Sequence, residues 1–107
     1  MQYIQRYNLK PRMSGAFRDW LKKNEQILRD GQPEGWTYLG TWFTVREFGH
    51  YQCETRYELQ DYADLGSGFG SEVLQKVLPE WLDMLTDESG ETYLMKSTEE
   101  VIIMEGM

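Results

Sequence analysis

The chain has 107 residues, a formal charge of -7 and a single cysteine, Cys53. That length fits one domain, residues 1–107, which should bury roughly two-thirds of the surface its unfolded chain exposes. One cysteine excludes an intramolecular disulfide and points to a reducing cytoplasm, and no apolar run exceeds four residues, too few for a membrane-spanning helix.

The N-terminal residues lack the apolar stretch and small-residue cleavage site of a secretory signal, so none is expected. Residues 1–31 hold seven Lys/Arg against three Asp/Glu, and residues 32–107 hold four against fifteen. So acidic a chain is not expected to bind nucleic acid, which needs clustered cations. Anionic membrane surfaces are disfavoured for the same reason. Fifteen aromatic residues, four of them Trp, offer contact area for a core, a subunit interface or a flat ligand.

Residues 2–10 alternate, with Tyr3, Tyr7 and Leu9 on one face and Gln2, Arg6 and Asn8 on the other, which predicts a strand ended by Pro11. Ser14 is a fitting N-cap for a helix to about residue 30, whose apolar stripe is Ala16, Phe17, Trp20, Leu21, Ile27 and Leu28. Gly31 stands where a left-handed closing residue is wanted. Residues 35–45 turn aromatic and β-branched. Trp36, Tyr38 and Trp42 share one parity there, and Leu39, Phe43 and Val45 the other. Neither face is polar, so both must be covered, one by helices and one by a second subunit.

Residues 47–50 read as a hairpin turn carrying His50 at its tip. Residues 51–59 alternate again, with Tyr51, Cys53, Thr55, Tyr57 and Leu59 opposed to Gln52, Glu54, Arg56 and Glu58. A short helical turn at 60–65 and a glycine-rich loop at 66–70 lead to a helix capped by Ser71 and running to about residue 86. Its stripe is Val73, Leu74, Val77, Leu78, Trp81, Leu82 and Leu85, and Pro79 should kink or split it. Residues 91–97 read as strand or loop, and residues 98–105 as the last strand. The order is β-α-β-β-α-β, an α+β, ferredoxin-like pattern with two helices on one face of a four-stranded antiparallel sheet. Its exposed opposite face predicts dimerisation by sheet-to-sheet packing.

The opening strand with Arg6-Tyr7-Asn8-Leu9-Lys10-Pro11, the helix with Phe17, Gly40-Thr41-Trp42, Glu58-Leu59 and Asp61-Tyr62-Ala63-Asp64-Leu65 resemble the dimeric α/β-barrel superfamily, most closely its NIPSNAP-like branch. Gln5 stands where that branch often carries Arg. The resemblance implies a homodimer with two sheets packed into a barrel, and a pocket in each subunit between sheet and helices. Members include cofactor-free quinol and polyketide monooxygenases, haem-degrading monooxygenases, lactone isomerases and binding proteins, so fold alone chooses no function.

Haem-degrading relatives carry a ligating His on the second long helix, and residues 71–86 contain none. One His and one Cys cannot build an ordinary zinc site, and residues 66–71 lack the spacing of a phosphate-binding loop. No metal or cofactor is expected. Gln2, Arg6 and Asn8 with Gln52, Glu54, Arg56 and Glu58 should form one charge-balanced patch if the first and third strands are neighbours. The expected site is a pocket bounded by Tyr7, Asn8, Trp20, Tyr57 and Trp81, taking a small apolar or aromatic molecule. The alternative is a cofactor-independent monooxygenase or isomerase acting on a quinol or polyketide-like substrate, with Tyr7, Asn8 and Tyr57 as its polar groups.

Overall fold

The computed structural model describes residues 1–45, 51–86 and 90–100. Its elements are β1 (Gln2–Tyr7), α1 (Ser14–Asp30), β2 (Trp36–Phe43), β3 (Cys53–Leu59), a 3-10 helix (Tyr62–Gly66), α2 (Glu72–Met84) and β4 (Glu91–Met95). The strands form one open antiparallel sheet in the order β2-β3-β1-β4. This α+β arrangement is compatible with a ferredoxin-like fold. His50 and the hairpin tip lie outside the described residues, as do residues 101–105 of the predicted last strand.

Strict alternation makes β3 the divider of the molecule. Cys53, Thr55, Tyr57 and Leu59 are buried, and the residues between them are half-exposed. The buried set joins Tyr7 and Leu9, Phe17, Trp20 and Leu28 of α1, and Leu74 and Trp81 of α2 in one core. Both helices therefore cover the same face. The rings interlock: Trp81 lies 5.8 Å from Tyr7, 6.0 Å from Phe17 and 5.5 Å from Trp20, centroid to centroid.

The first helix forms where its stripe predicts, with two differences at its ends. Ser14 is its first residue rather than its cap; Met13 holds the cap position and supplies no side-chain bond. Gly31 closes the helix at φ -96°, not in the left-handed region. Glycine is needed there for space, because a Cβ would lie 2.6 Å from Ser71 Oγ. In α2 the Ser71 cap is as expected, accepting from the Leu74 N–H at 3.1 Å. Pro79 lies within a single helix and does not split it.

Two expectations about strands are corrected. In β2 a bulge falls between Tyr38 and Gly40, so Tyr38 faces Tyr57 while Gly40 faces Arg56. Parity reverses across Leu39. Trp42 therefore leaves the face of Trp36 and Tyr38 and lies on the open side, its ring 5.3 Å from the Arg56 guanidinium carbon. Phe43 takes the helix side, against Phe17. The last strand is also displaced. β4 is 91–95, paired along β1 from Gln2–Met95 to Arg6–Glu91, whereas residues 98–100 are helical. Ser97-Thr98-Glu99-Glu100 is a capping box: Glu100 N–H donates to Ser97 Oγ, and Ser97 N–H to Glu100 Oε1.

Candidate binding cleft

A cleft of about 490 Å³ opens between the β1–β4 side of the sheet and α2. Its walls are Tyr7, Tyr57, Leu78, Trp81, Leu82 and Leu85, with Gln5, Arg6, Glu91 and Thr92 supplying polar groups. Gln5 and Thr92 are direct partners across β1 and β4, so strand pairing places both at the same level. Leu85 is held by a bridge to Leu9, and the Lys10 N–H donates to Met84 O at 2.9 Å. These bonds fix the C-terminal end of α2 over the end of β1.

Of the five residues expected at the pocket, Tyr7, Tyr57 and Trp81 line this cleft. Trp20 lies in the core instead, and its indole N–H donates to Glu80 Oε2 at 2.9 Å, tying α1 to α2. Asn8 sits past the end of β1. Its Oδ1 accepts from the Gln52 N–H at 2.8 Å, and its carbonyl accepts from the Thr86 N–H at 3.0 Å. It braces the strand ends.

The polar groups of the three wall residues differ in what they have left to give. The Tyr7 hydroxyl is engaged with Thr55 Oγ1 at 2.7 Å. The Tyr57 hydroxyl bonds to no described residue, and burial pushes its phenol far above the ordinary value, so it stays protonated. The Trp81 indole N–H is buried without an acceptor among the described residues. An orphaned donor of this kind costs about 1–3 kcal/mol.

On the opposite face the expected polar patch forms in part, around Glu54, while Glu58 pairs with the N-terminal ammonium at 3.1 Å. Glu54 accepts from Arg6 Nε at 2.8 Å and from Arg56 Nε at 2.6 Å. Burial alone would raise the Glu54 carboxyl, but the two guanidiniums together outweigh it and hold it below its ordinary value. Ile4 is buried on this face beside the network, and a groove of about 320 Å³ separates it from Lys96, Ser97 and Glu100.

Residues not expected at the site complete the helix side. Thr55 is fully buried, joining Tyr7 to Thr41. Its signal was available: a hydroxyl at a core position of a strand has to find a partner.

Fold and site together define an α+β protein whose four-stranded sheet carries two helices on one side and an aromatic cleft beneath the second. No helix among the described residues is long and apolar enough to cross a membrane. No group of three His, Cys, Asp or Glu among them is placed to hold a metal ion. No family model matches the chain, and no curated protein matches it significantly.

Proposed function

We propose that the chain is a member of the dimeric α/β-barrel superfamily, nearest its NIPSNAP-like branch, and that it binds a small apolar or aromatic molecule in the cleft under α2. The cleft itself carries this reading: about 490 Å³ walled by Tyr7, Tyr57, Leu78 and Trp81, with a neutral hydroxyl at Tyr57 that no described residue engages. Ligand sites are commonly of this size, mostly apolar, with a few polar groups that fix orientation. A ligand bearing one oxygen beside a flat apolar body fits that inventory. The chain works in this reading as a cytoplasmic homodimer joined through the open sheet face. Trp42, 49 % exposed, and Met95, 52 % exposed, support this, since both stand on that face beside the Arg6–Glu54–Arg56 network.

A screen of hydrophobic and aromatic compounds by tryptophan fluorescence tests the cleft, since Trp81 lines it. Saturable binding that Tyr57→Phe weakens supports the reading, and no binding across the panel rejects it. Sedimentation tests the dimer: Trp42→Asp should weaken association, and a monomeric wild type rejects it.

The enzymatic alternative, oxygenation or isomerisation of a quinol or polyketide-like substrate, draws on one observation, a Tyr57 hydroxyl that no described residue engages. Asn8 is bonded at the strand end, and the Tyr7 proton is engaged within the core. The geometry thus favours binding. Oxygen uptake with a panel of hydroquinones would establish the enzyme instead.

A further inference from the structure

Four hydroxyls cross the core in single file. Tyr7 Oη lies 2.7 Å from Thr55 Oγ1, which lies 2.9 Å from Thr41 Oγ1. Thr41 Oγ1 lies 2.7 Å from Tyr38 Oη, and Tyr38 donates to Glu25 Oε2 at 3.0 Å. The file starts on β1, crosses β3 and β2, and ends on α1. Thr55 is fully buried and Tyr7 and Tyr38 nearly so, whereas the Glu25 side chain is 37 % exposed. One end thus belongs to a residue of the cleft wall and the other to a partly exposed carboxylate.

Its polarity follows from counting protons. Each hydroxyl has one proton to give, and a carboxylate only accepts. Tyr38 gives its proton to Glu25, so Thr41 donates to Tyr38. Thr55 must then donate to Thr41, and Tyr7 to Thr55. Every proton points toward Glu25, and bonds aligned this way reinforce one another. The Tyr7 oxygen keeps only accepting capacity.

We propose that these four hydroxyls form a proton path between the cleft wall at Tyr7 and Glu25 at the surface. The proposal rests on the reading that the cleft holds a ligand, and it adds that the ligand carries an acidic O–H or N–H group. As that bond breaks, a new O–H bond forms at Tyr7 Oη, and the Tyr7 proton passes to Thr55. The Thr55 proton passes to Thr41, the Thr41 proton to Tyr38, and the Tyr38 proton to Glu25. At each hydroxyl one O–H bond breaks and one forms, and no oxidation occurs. The ligand is left as an anion and Glu25 as a carboxylic acid, which returns its proton to water. The hydroxyls then rotate back. Relays of this kind serve general acid–base chemistry wherever a buried group must exchange protons with solvent.

Burial raises the phenols of both Tyr7 and Tyr38, so protons are handed along rather than stored as tyrosinate. The groups facing the path are few among the described residues. Arg29 lies 3.9 Å from Glu25 and its guanidinium carbon 5.5 Å from the Tyr38 ring centre. Tyr57 and Cys53 of β3 act on Tyr7, and Trp81 is the α2 residue against its ring.

Carbon-13 NMR of the ligand-free protein, labelled in tyrosine and glutamate, tests the path. Proton uptake at Glu25, followed at its Cδ, should produce steps of the same midpoint at Cζ of Tyr38 and Tyr7. Thr41→Val should abolish the step at Tyr7 and leave it at Tyr38, and Thr41→Ser should restore it. Thr55→Val breaks the file at a second place and should also silence Tyr7. Glu25→Gln should remove the step from both tyrosines. A flat Tyr7 response in the wild type, or a Tyr7 step that survives either valine variant, overturns the proposal. No ligand is present, so an empty cleft in the binding screen rejects the proposed function without touching this result.

Discussion

Gly40 of β2 lies opposite Arg56 of β3, although two residues earlier Tyr38 lies opposite Tyr57. The pairing leaves Leu39 as an extra residue, and side chains beyond it change faces. This single insertion sends Phe43 into the core and turns Trp42 outward over Arg56. Gly40 permits it with φ +148°, and a Cβ there would lie 3.2 Å from Trp42 Cη2. Gly40→Ala should therefore lower stability by about 1–3 kcal/mol, the usual cost of a strained backbone position. Urea unfolding would measure it, and an unchanged midpoint would show that the bulge relaxes freely.

Thr55 is fully buried with two hydroxyl partners, Tyr7 and Thr41. Thr55→Val keeps the shape, orphans the Tyr7 hydroxyl and leaves Thr41 with Tyr38 alone. Leaving buried polar groups unsatisfied should destabilise the fold by roughly 1–3 kcal/mol. Thermal unfolding of the variant, still cooperative but lower in Tm, is the expected result.

Leu78 lines the cleft from α2 beside Trp81. Leu78→Trp should fill part of the space and abolish ligand binding, with Tm within a few degrees of wild type because the position is only partly buried. Binding that survives the substitution would move the ligand elsewhere.

Cys53 is 2 % exposed, and burial pushes its thiol up to about 11 from 9.0. The folded protein thus favours the neutral thiol, a preference fully expressed below pH 9 and lost as pH rises toward 11. Stability should fall across that window, and Cys53→Ala should flatten the decline. At pH 8 a thiol reagent should react at the rate of unfolding rather than of a free thiol.

Glu54 behaves in the opposite sense. Its folded carboxyl is held below the ordinary value by Arg6 and Arg56. The stability it gives is present above the unfolded value and lost as pH falls through the folded one. Glu54→Gln should make the acid side of the stability curve shallower, as read by urea midpoints between pH 6 and 3.

Much of the fold was legible because burial has a period. Alternation in residues 51–59 and the stripes at Phe17-Trp20-Leu21-Leu28 and Leu74-Trp81 located β3, α1 and α2. Alternation failed at Leu39, since a bulge is a property of two strands together and β2 alone does not display it. The strand reading failed again at residues 98–100, where the apolar run that follows in the sequence at 101–104 concealed an S-x-x-E cap. Tyr7, Tyr57 and Trp81 could be named for the cleft from parity and helical spacing. Separating them from Trp20 and Asn8 required knowing how the rings pack.

What the sequence determined by itself is the order of elements and the face each residue presents, because local backbone geometry repeats every two or 3.6 residues. Tertiary structure alone decided which faces meet and in what register. It thereby decided that Tyr38 and Thr41 of β2 and Thr55 of β3 share one file of hydrogen bonds with Tyr7 and Glu25, which lie far from them along the chain. Hydrogen bonds act over about 3 Å and depend on direction. No pattern along a single strand carries that information, which arises only when three strands and a helix are placed together.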